Sequence, residues 1–121
     1  MGKGVKLGPL GEELAARFLK RKGYKILERN YRCPFGEVDI VALHRGTLVF
    51  VEVKTRKSLA FGHPAEAVDL RKQRRLQRIA SCYLGQRRLG DIPVRFDVVA
   101  LSLGEDGEFD LIQNAFSPEP L

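Results

Sequence analysis

The chain has 121 residues, the length of one domain, and its 44% hydrophobic and 30% charged content excludes bulk disorder. No run approaches the ~20 apolar residues of a membrane span, and MGKGVKLGPLGEE lacks the apolar segment of a signal peptide, so a cytoplasmic location is expected. The formal charge of +6 is unevenly spread: residues 1–101 hold all 21 Lys and Arg against 10 acids, and 102–121 hold five acids and no base. A basic body suits a polyanionic partner, most commonly nucleic acid.

Residues 10–22 place Leu10, Leu14, Ala15, Phe18 and Leu19 at helical spacing, and Gly23 is suited to end that helix in a left-handed conformation. YKILERNYR is strand-like. GEVDIVAL (36–43) and LVFVEVK (48–54) flank HRGT and read as a β-hairpin turning at Arg45-Gly46. A polar stretch to His63-Pro64 leads into a helical pattern (Ala65, Val68, Leu76, Ile79, Ala80, Tyr83, Leu84) ending near Gly85. Residues 93–103 form a further strand, GEDG a turn and 109–116 a last strand. The expected class is α/β, with a central mixed β-sheet flanked by helices. One domain is expected over residues 1–116, followed by a frayed tail, 117–121. Cys33 and Cys82 are too few and too far apart for a disulfide framework or a compact zinc site, and are read as reduced thiols. His44 and His63 are read as surface or capping residues.

A two-residue turn at 45–46 sets the hairpin register. It places Asp39 across from Glu52 and Glu37 across from Lys54, all on one face with Val41, Leu43, Leu48 and Phe50. The other face (Val38, Ile40, Ala42, Val49, Val51, Val53) is wholly apolar and needs a covering layer. Opposed carboxylates repel, and in a half-buried place one would stay protonated unless a cation sits between them. A hard divalent ion such as Mg²⁺ accepts one or two carboxylates plus water and phosphate oxygens. Lys54 would reach the same place and steady negative charge on a phosphoryl transition state. The competing reading is an ion-pair network on a solvated sheet.

GEVDIVALHRGTLVFVEVKTR, with Asp39 thirteen residues before Glu52-Val53-Lys54, resembles the D-(x)n-(D/E)-x-K core of restriction enzymes and archaeal Holliday-junction resolvases. More closely, GEELAARFLKRKGYKILERNYRC, FGEVDIVA, LVFVEVKTR and RFDVV, with FGHPAEAV and RKQRRL, are similar to the bacterial YraN-like family over residues 11–101. The resemblance implies an αβββαβ restriction-endonuclease-like fold. It also implies Asp39 and Glu52 as ligands of Mg²⁺ or Mn²⁺, the Val53 carbonyl as a further ligand, and Lys54 as the catalytic lysine. The chain departs from the nuclease pattern in having Val38 where Pro often precedes the aspartate. The nuclease group often adds a glutamate from its first helix. At about 100° per residue Glu12 falls at the rim of the apolar stripe and Glu13 points away, so Glu12 is the candidate. Glu37 either joins the metal shell or pairs with Lys54. Asp97 either supports the site or pairs with Arg95 or backbone. In such folds the following helix often lends a residue, here Lys72 or Gln73.

Residues 71–88 carry seven bases and no acid, with Arg71, Lys72, Arg74, Arg75 and Arg78 near neighbours on a helix. With Arg56 and Lys57 they form the expected phosphate-binding strip, extended by Arg17, Lys20, Arg21, Lys22, Arg29 and Arg32. Most of the 7 Phe look like core, which points towards backbone or shape recognition rather than base stacking. The expected function is a Mg²⁺- or Mn²⁺-dependent endonuclease acting on branched or structured DNA, with a homodimer suggested by the twofold symmetry of junctions. The alternatives are a non-catalytic nucleic-acid-binding module of the same fold and a protein-interaction scaffold.

Overall fold

A computed structural model describes residues 7–56, 69–102 and 108–116, with backbone alone for 7–9 and 56. The element order is α1 (Leu7–Arg21), β1 (Lys25–Cys33), β2 (Gly36–His44), β3 (Thr47–Arg56), α2 (Leu70–Arg87), β4 (Val94–Ser102) and β5 (Phe109–Ile112). The five strands lie in sequence order in one mixed sheet. β1, β2 and β3 form an antiparallel meander, α2 crosses over to bring β4 parallel to β3, and β5 returns antiparallel to β4. Among the described residues no helix is long and apolar enough to cross a membrane.

One helix covers each face of the sheet. Ala15, Ala16 and Leu19 of α1 pack with Ile40, Ala42, Val49, Val51 and Val99, burying the apolar hairpin face that required a cover. Leu76, Ile79, Ala80 and Tyr83 of α2 pack with Val41, Leu48, Phe50, Phe96 and Val98 on the other side. The expected alternation slips at one residue. Val38 joins the α2 side with Val41 instead of the α1 side with Ile40. Across from Asp39, between the Arg29↔Ile40 and Tyr31↔Val38 pairs, β1 adopts a positive φ at Asn30.

The termini follow from local chemistry. α1 begins at Leu7, earlier than the apolar stripe suggests. Pro9 fits there because the first-turn N–H groups have no intrahelical partner anyway. Glu12 and Glu13 therefore lie beyond the first turn, where the helix dipole does little for them. At the other end Gly23 N–H donates to Lys20 and Tyr24 N–H to Leu19, closing the helix as Gly23 predicts. Asp69 caps α2 by accepting from Lys72 N–H at 2.9 Å, so the helix starts at Leu70. It runs through Gly85 to Arg87 because Arg88 takes up the left-handed cap. The hairpin turns at Arg45 and Gly46, both at positive φ, as a two-residue turn matching the strand twist demands. β5 stops at Ile112, short of the expected 116, and Asn114 takes up a left-handed conformation in the turn that follows. Ala65, Val68, His63 and the tail 117–121 lie outside the described residues.

Candidate active site

The register expected for the hairpin holds for five pairs, from His44↔Thr47 to Ile40↔Val51. Beyond that the ladder gives way to a side chain. Asp39 Oδ2 accepts the Val53 N–H at 2.7 Å, so the carboxylate occupies the place of a backbone carbonyl. In a strand the N–H and C=O of one residue point to the same neighbour, so the Val53 carbonyl also faces this opening.

Glu52 and Lys54 stand on the α2 side of β3, in the parity of Phe50. Glu52 is only 8% exposed. Burial first, then repulsion from Asp39, pushes its carboxyl up to about 8, against the pull of Lys72 and Lys54. Near pH 7 the Glu52 carboxyl therefore keeps its proton and donates it to Asp39. Lys72, in the first turn of α2, reaches Glu52 Oε2 at 3.7 Å. Burial and the neighbouring Lys72 ammonium hold the Lys54 pKa below its ordinary value, although Glu52 and Asp39 act the other way. Four ionisable groups thus meet where the N-terminal turn of α2 approaches the diverging ends of β2 and β3. Lys72, one of the two residues expected from α2, turns to the carboxylates.

α1 approaches the same end of the sheet from the opposite face. A methyl group on Gly11 would collide with Thr55 Oγ1, so glycine lets α1 lie close to β3 without displacing that side chain. That contact brings Glu12 near Asp39. Its carboxyl is raised first by burial and then by Asp39, while Asn30 hydrogen-bonds it and lowers it. Glu13 instead holds Arg29 at 2.6 Å and Arg17 at 3.0 Å. α1 therefore turns Glu12 towards Asp39 and Glu13 towards Arg29 of β1 and Arg17.

Other candidates are placed elsewhere. Glu37 pairs with Arg32 at 3.0 Å across β1–β2, rather than with Lys54. Asp97 lies on the α1 side, where it accepts from Tyr24 Oη, Arg95 and Asn114 N–H; this overturns a supporting role at the carboxylates. The strand parity that puts Val98 across from Glu52 sends Asp97 to the opposite face. His44 is buried, stacked on Tyr24 at 4.2 Å and in contact with Arg95, not a surface residue. Arg71, Arg74, Arg75 and Arg78 are exposed on α2, Gln73 is half-buried, and Cys33 and Cys82 are free thiols. Arg17, Arg29 and Arg32 are engaged by carboxylates. The Arg56 side chain and Lys57 lie outside what is described. Sequence reasoning missed Phe35, which is 49% exposed beside the α2 arginines. Its place next to Pro34, between two strands, was the available signal.

Among the described residues no group of three or more His, Cys, Asp or Glu side chains is poised to hold a metal ion. The Asp39–Glu52 pair nevertheless fits a hard divalent cation. The buried Glu52 carboxyl stands beside the half-buried Asp39, whose charge raises it, and Mg²⁺ uses few protein carboxylates, completing its shell with water and phosphate.

A model of the family described as "Uncharacterised protein family UPF0102" matches residues 11–101. The chain is 50% identical over 113 residues to a UPF0102 protein of Caldicellulosiruptor saccharolyticus, covering 91% of this chain and 96% of the relative. It is 56% identical over 96 residues to one of Moorella thermoacetica (79% and 80% covered) and 49% identical over 117 residues to one of Syntrophus aciditrophicus (96% and 92%). These matches run through both helices and the strands that meet at Asp39 and Glu52, and the chain belongs to the UPF0102 family, the YraN-like family that its motifs resemble.

Proposed function

We propose that this chain is a metal-dependent, endonuclease-like protein that binds structured DNA and hydrolyses its phosphodiester backbone, on a restriction-endonuclease-like αβββαβ core. The observation that carries the reading is the Asp39–Glu52 pair, buried at Glu52 and half-buried at Asp39, with Lys54 and Lys72 beside it. Asp39, Glu52 and the Val53 carbonyl would hold Mg²⁺ or Mn²⁺. When bound, that ion would supply Lewis-acid polarisation of the phosphate and acidification of water.

The protein's own groups do the rest. Lys54 sets an ammonium beside the carboxylates, where low dielectric strengthens its pull on developing phosphate charge. Lys72, 3.7 Å from Glu52, favours loss of the Glu52 proton when a cation binds. Glu12, close to Asp39 without completing a three-carboxylate group, orients water from the α1 side. Arg71, Arg74, Arg75 and Arg78 bind phosphates flanking the reacting one, a sequence-independent and salt-sensitive contribution. The test is a cleavage screen of branched, flapped, single-stranded and duplex DNA with Mg²⁺ or Mn²⁺. Asp39→Ala and Lys54→Ala abolish cutting and leave the fold intact; wild-type cutting by either variant removes the assigned roles. The Glu52–Lys72 contact favours a second reading, a non-catalytic DNA-binding module with structural carboxylates. Binding that survives Asp39→Ala, with no cleavage by the wild type, would select it.

A further inference from the structure

We propose that the cleft between the β1–β2 turn and α2 binds unpaired nucleotides of a DNA strand, one base stacking on Phe35 and the neighbouring phosphates lying on Arg71, Arg74, Arg75 and Arg78. This rests on the DNA-binding half of the reading above and is independent of cleavage. The cleft is open, with a volume of about 440 Å³, and those five residues line it.

Phe35 sits with Pro34 in a tight turn closed by the Cys33↔Gly36 pair, so its ring is held out from a short, anchored loop. The Arg78 guanidinium lies 5.9 Å from the ring centroid. Arg75 packs its stem on the backbone of Gly36, where a methyl group would come within 3.2 Å of Cδ. A large aromatic ring bordered by guanidinium groups is the platform on which nucleobases stack, and the stack is sequence-tolerant because every base has a π-face.

The charges point the same way. Five arginines elsewhere have carboxylate partners (Arg17 and Arg29 hold Glu13, Arg32 holds Glu37, Arg87 holds Glu28 and Arg95 holds Asp97), whereas the exposed Arg21, Arg45 and Arg88 stand apart from one another. Among the described residues the four cleft arginines hold none. Four neighbouring cations repel one another and await an anion. From Arg71 to Arg78 the helix rises about 10 Å, longer than a single phosphate group, which favours a strand over a free nucleotide. The cleft also adjoins the carboxylates in the chain, since Arg71 precedes Lys72 and Gly36 starts the strand that carries Asp39. Such a site makes a branch, flap or frayed end a better ligand than a blunt duplex, because only these present an unstacked base.

The experiment measures fluorescence anisotropy of a labelled single-stranded oligodeoxythymidine and a labelled blunt duplex, without divalent metal, over a range of salt. Wild type is expected to bind the single strand more tightly. Phe35→Ala loses about tenfold of that affinity and leaves duplex binding unchanged, and Phe35→Trp restores the loss. Arg74→Gln with Arg78→Gln weakens both ligands and flattens the salt dependence. Phe35→Ala binding the single strand like wild type, or a wild type that prefers the duplex, overturns the stacking site and leaves phosphate binding in place. No binding of either DNA at low salt overturns the inference and the DNA-binding reading together. Phenylalanine-dependent single-strand binding without cleavage sustains the inference and defeats the nuclease reading alone.

Discussion

Two buried polar clusters flank the sheet, and they are built on opposite principles. On the α1 side, Asp97 accepts two bonds from Arg95 and one each from Tyr24 Oη and Asn114 N–H, all at 2.7–2.9 Å. Arg95 also reaches Tyr24 Oη and His44 Nδ1, and Gln113 donates to Tyr24. Each carboxylate lone pair has a donor, and one anion meets one cation. On the α2 side, carboxyl faces carboxyl and ammonium faces ammonium, the cross contact is a loose 3.7 Å, and Glu52 retains a proton near neutrality. The first arrangement is saturated with partners and ties Tyr24, β2, β4 and the 113–114 turn together. The second leaves charge states that a cation or a phosphate would change, which is how sites for chemistry differ from sites for stability.

Deleting each centre tests that contrast most strongly. Asp97→Ala leaves the half-buried Arg95 guanidinium and the Asn114 N–H without their acceptor and is expected to cost about 3–5 kcal/mol. Glu52→Gln keeps the size and neutrality of a group already protonated, so denaturant melts near pH 7 should show it at least as stable as wild type. Equal losses would erase the distinction.

The pH dependence sharpens it. The Glu52 carboxyl titrates near 8 when folded but near 4.5 when unfolded, so between those values the folded chain holds a proton that the unfolded chain has released. Stability from this group is complete below about pH 4.5 and is lost as pH rises through 8. The slope approaches about 1.4 kcal/mol per pH unit, and Glu52→Gln removes it. His44 acts oppositely. Burial, and then the Arg95 charge, holds its pKa below 6.5, and Arg95 donates to Nδ1, so its neutral form is the folded one. Its stability is present above the unfolded value and lost as pH falls through the folded one, and His44→Gln flattens that acid limb in thermal melts. A wild-type profile with no alkaline decline would remove the shared proton on which the carboxylate cluster depends.

The same proton gives a metal readout separate from cleavage. Titrating Mg²⁺ or Mn²⁺ near pH 7 in buffers of different ionisation enthalpy should release about one proton from wild type and none from Glu52→Gln. Release of the same size from both would place the metal elsewhere.

Much of this was legible in the residues. A two-residue turn at Arg45-Gly46 fixes the pairing as far as Ile40 and Val51, and period-two alternation assigns most side chains to a face. The alternation fails at Val38 because Asp39 bonds backbone rather than continuing the ladder, a competition between side chain and strand that hydropathy does not encode. Asp97 was ambiguous for a similar reason. Alternation shows that it lies inside, but its partners Tyr24 and Asn114 are distant in sequence, and only the parallel β3–β4 register tells which side it faces. Phe35 was hidden by composition, since a phenylalanine in a basic protein reads as core until a turn is seen to hold it outside.

The smallest expected effect concerns two adjacent side chains. Glu12 and Glu13 share a helix and a charge, but one is turned towards Asp39 and the other towards Arg17 and Arg29. Removing the Glu12 charge takes a like charge away from Asp39, so Mg²⁺ or Mn²⁺ should bind more weakly to Glu12→Gln than to wild type. Glu13→Gln breaks solvent-exposed ion pairs, which are weak and salt-screened, and should leave both the melting curve and the metal affinity where they were. Identical titrations from the two variants would mean that the α1 glutamate only bystands, and that Asp39 and Glu52 answer to α2 alone.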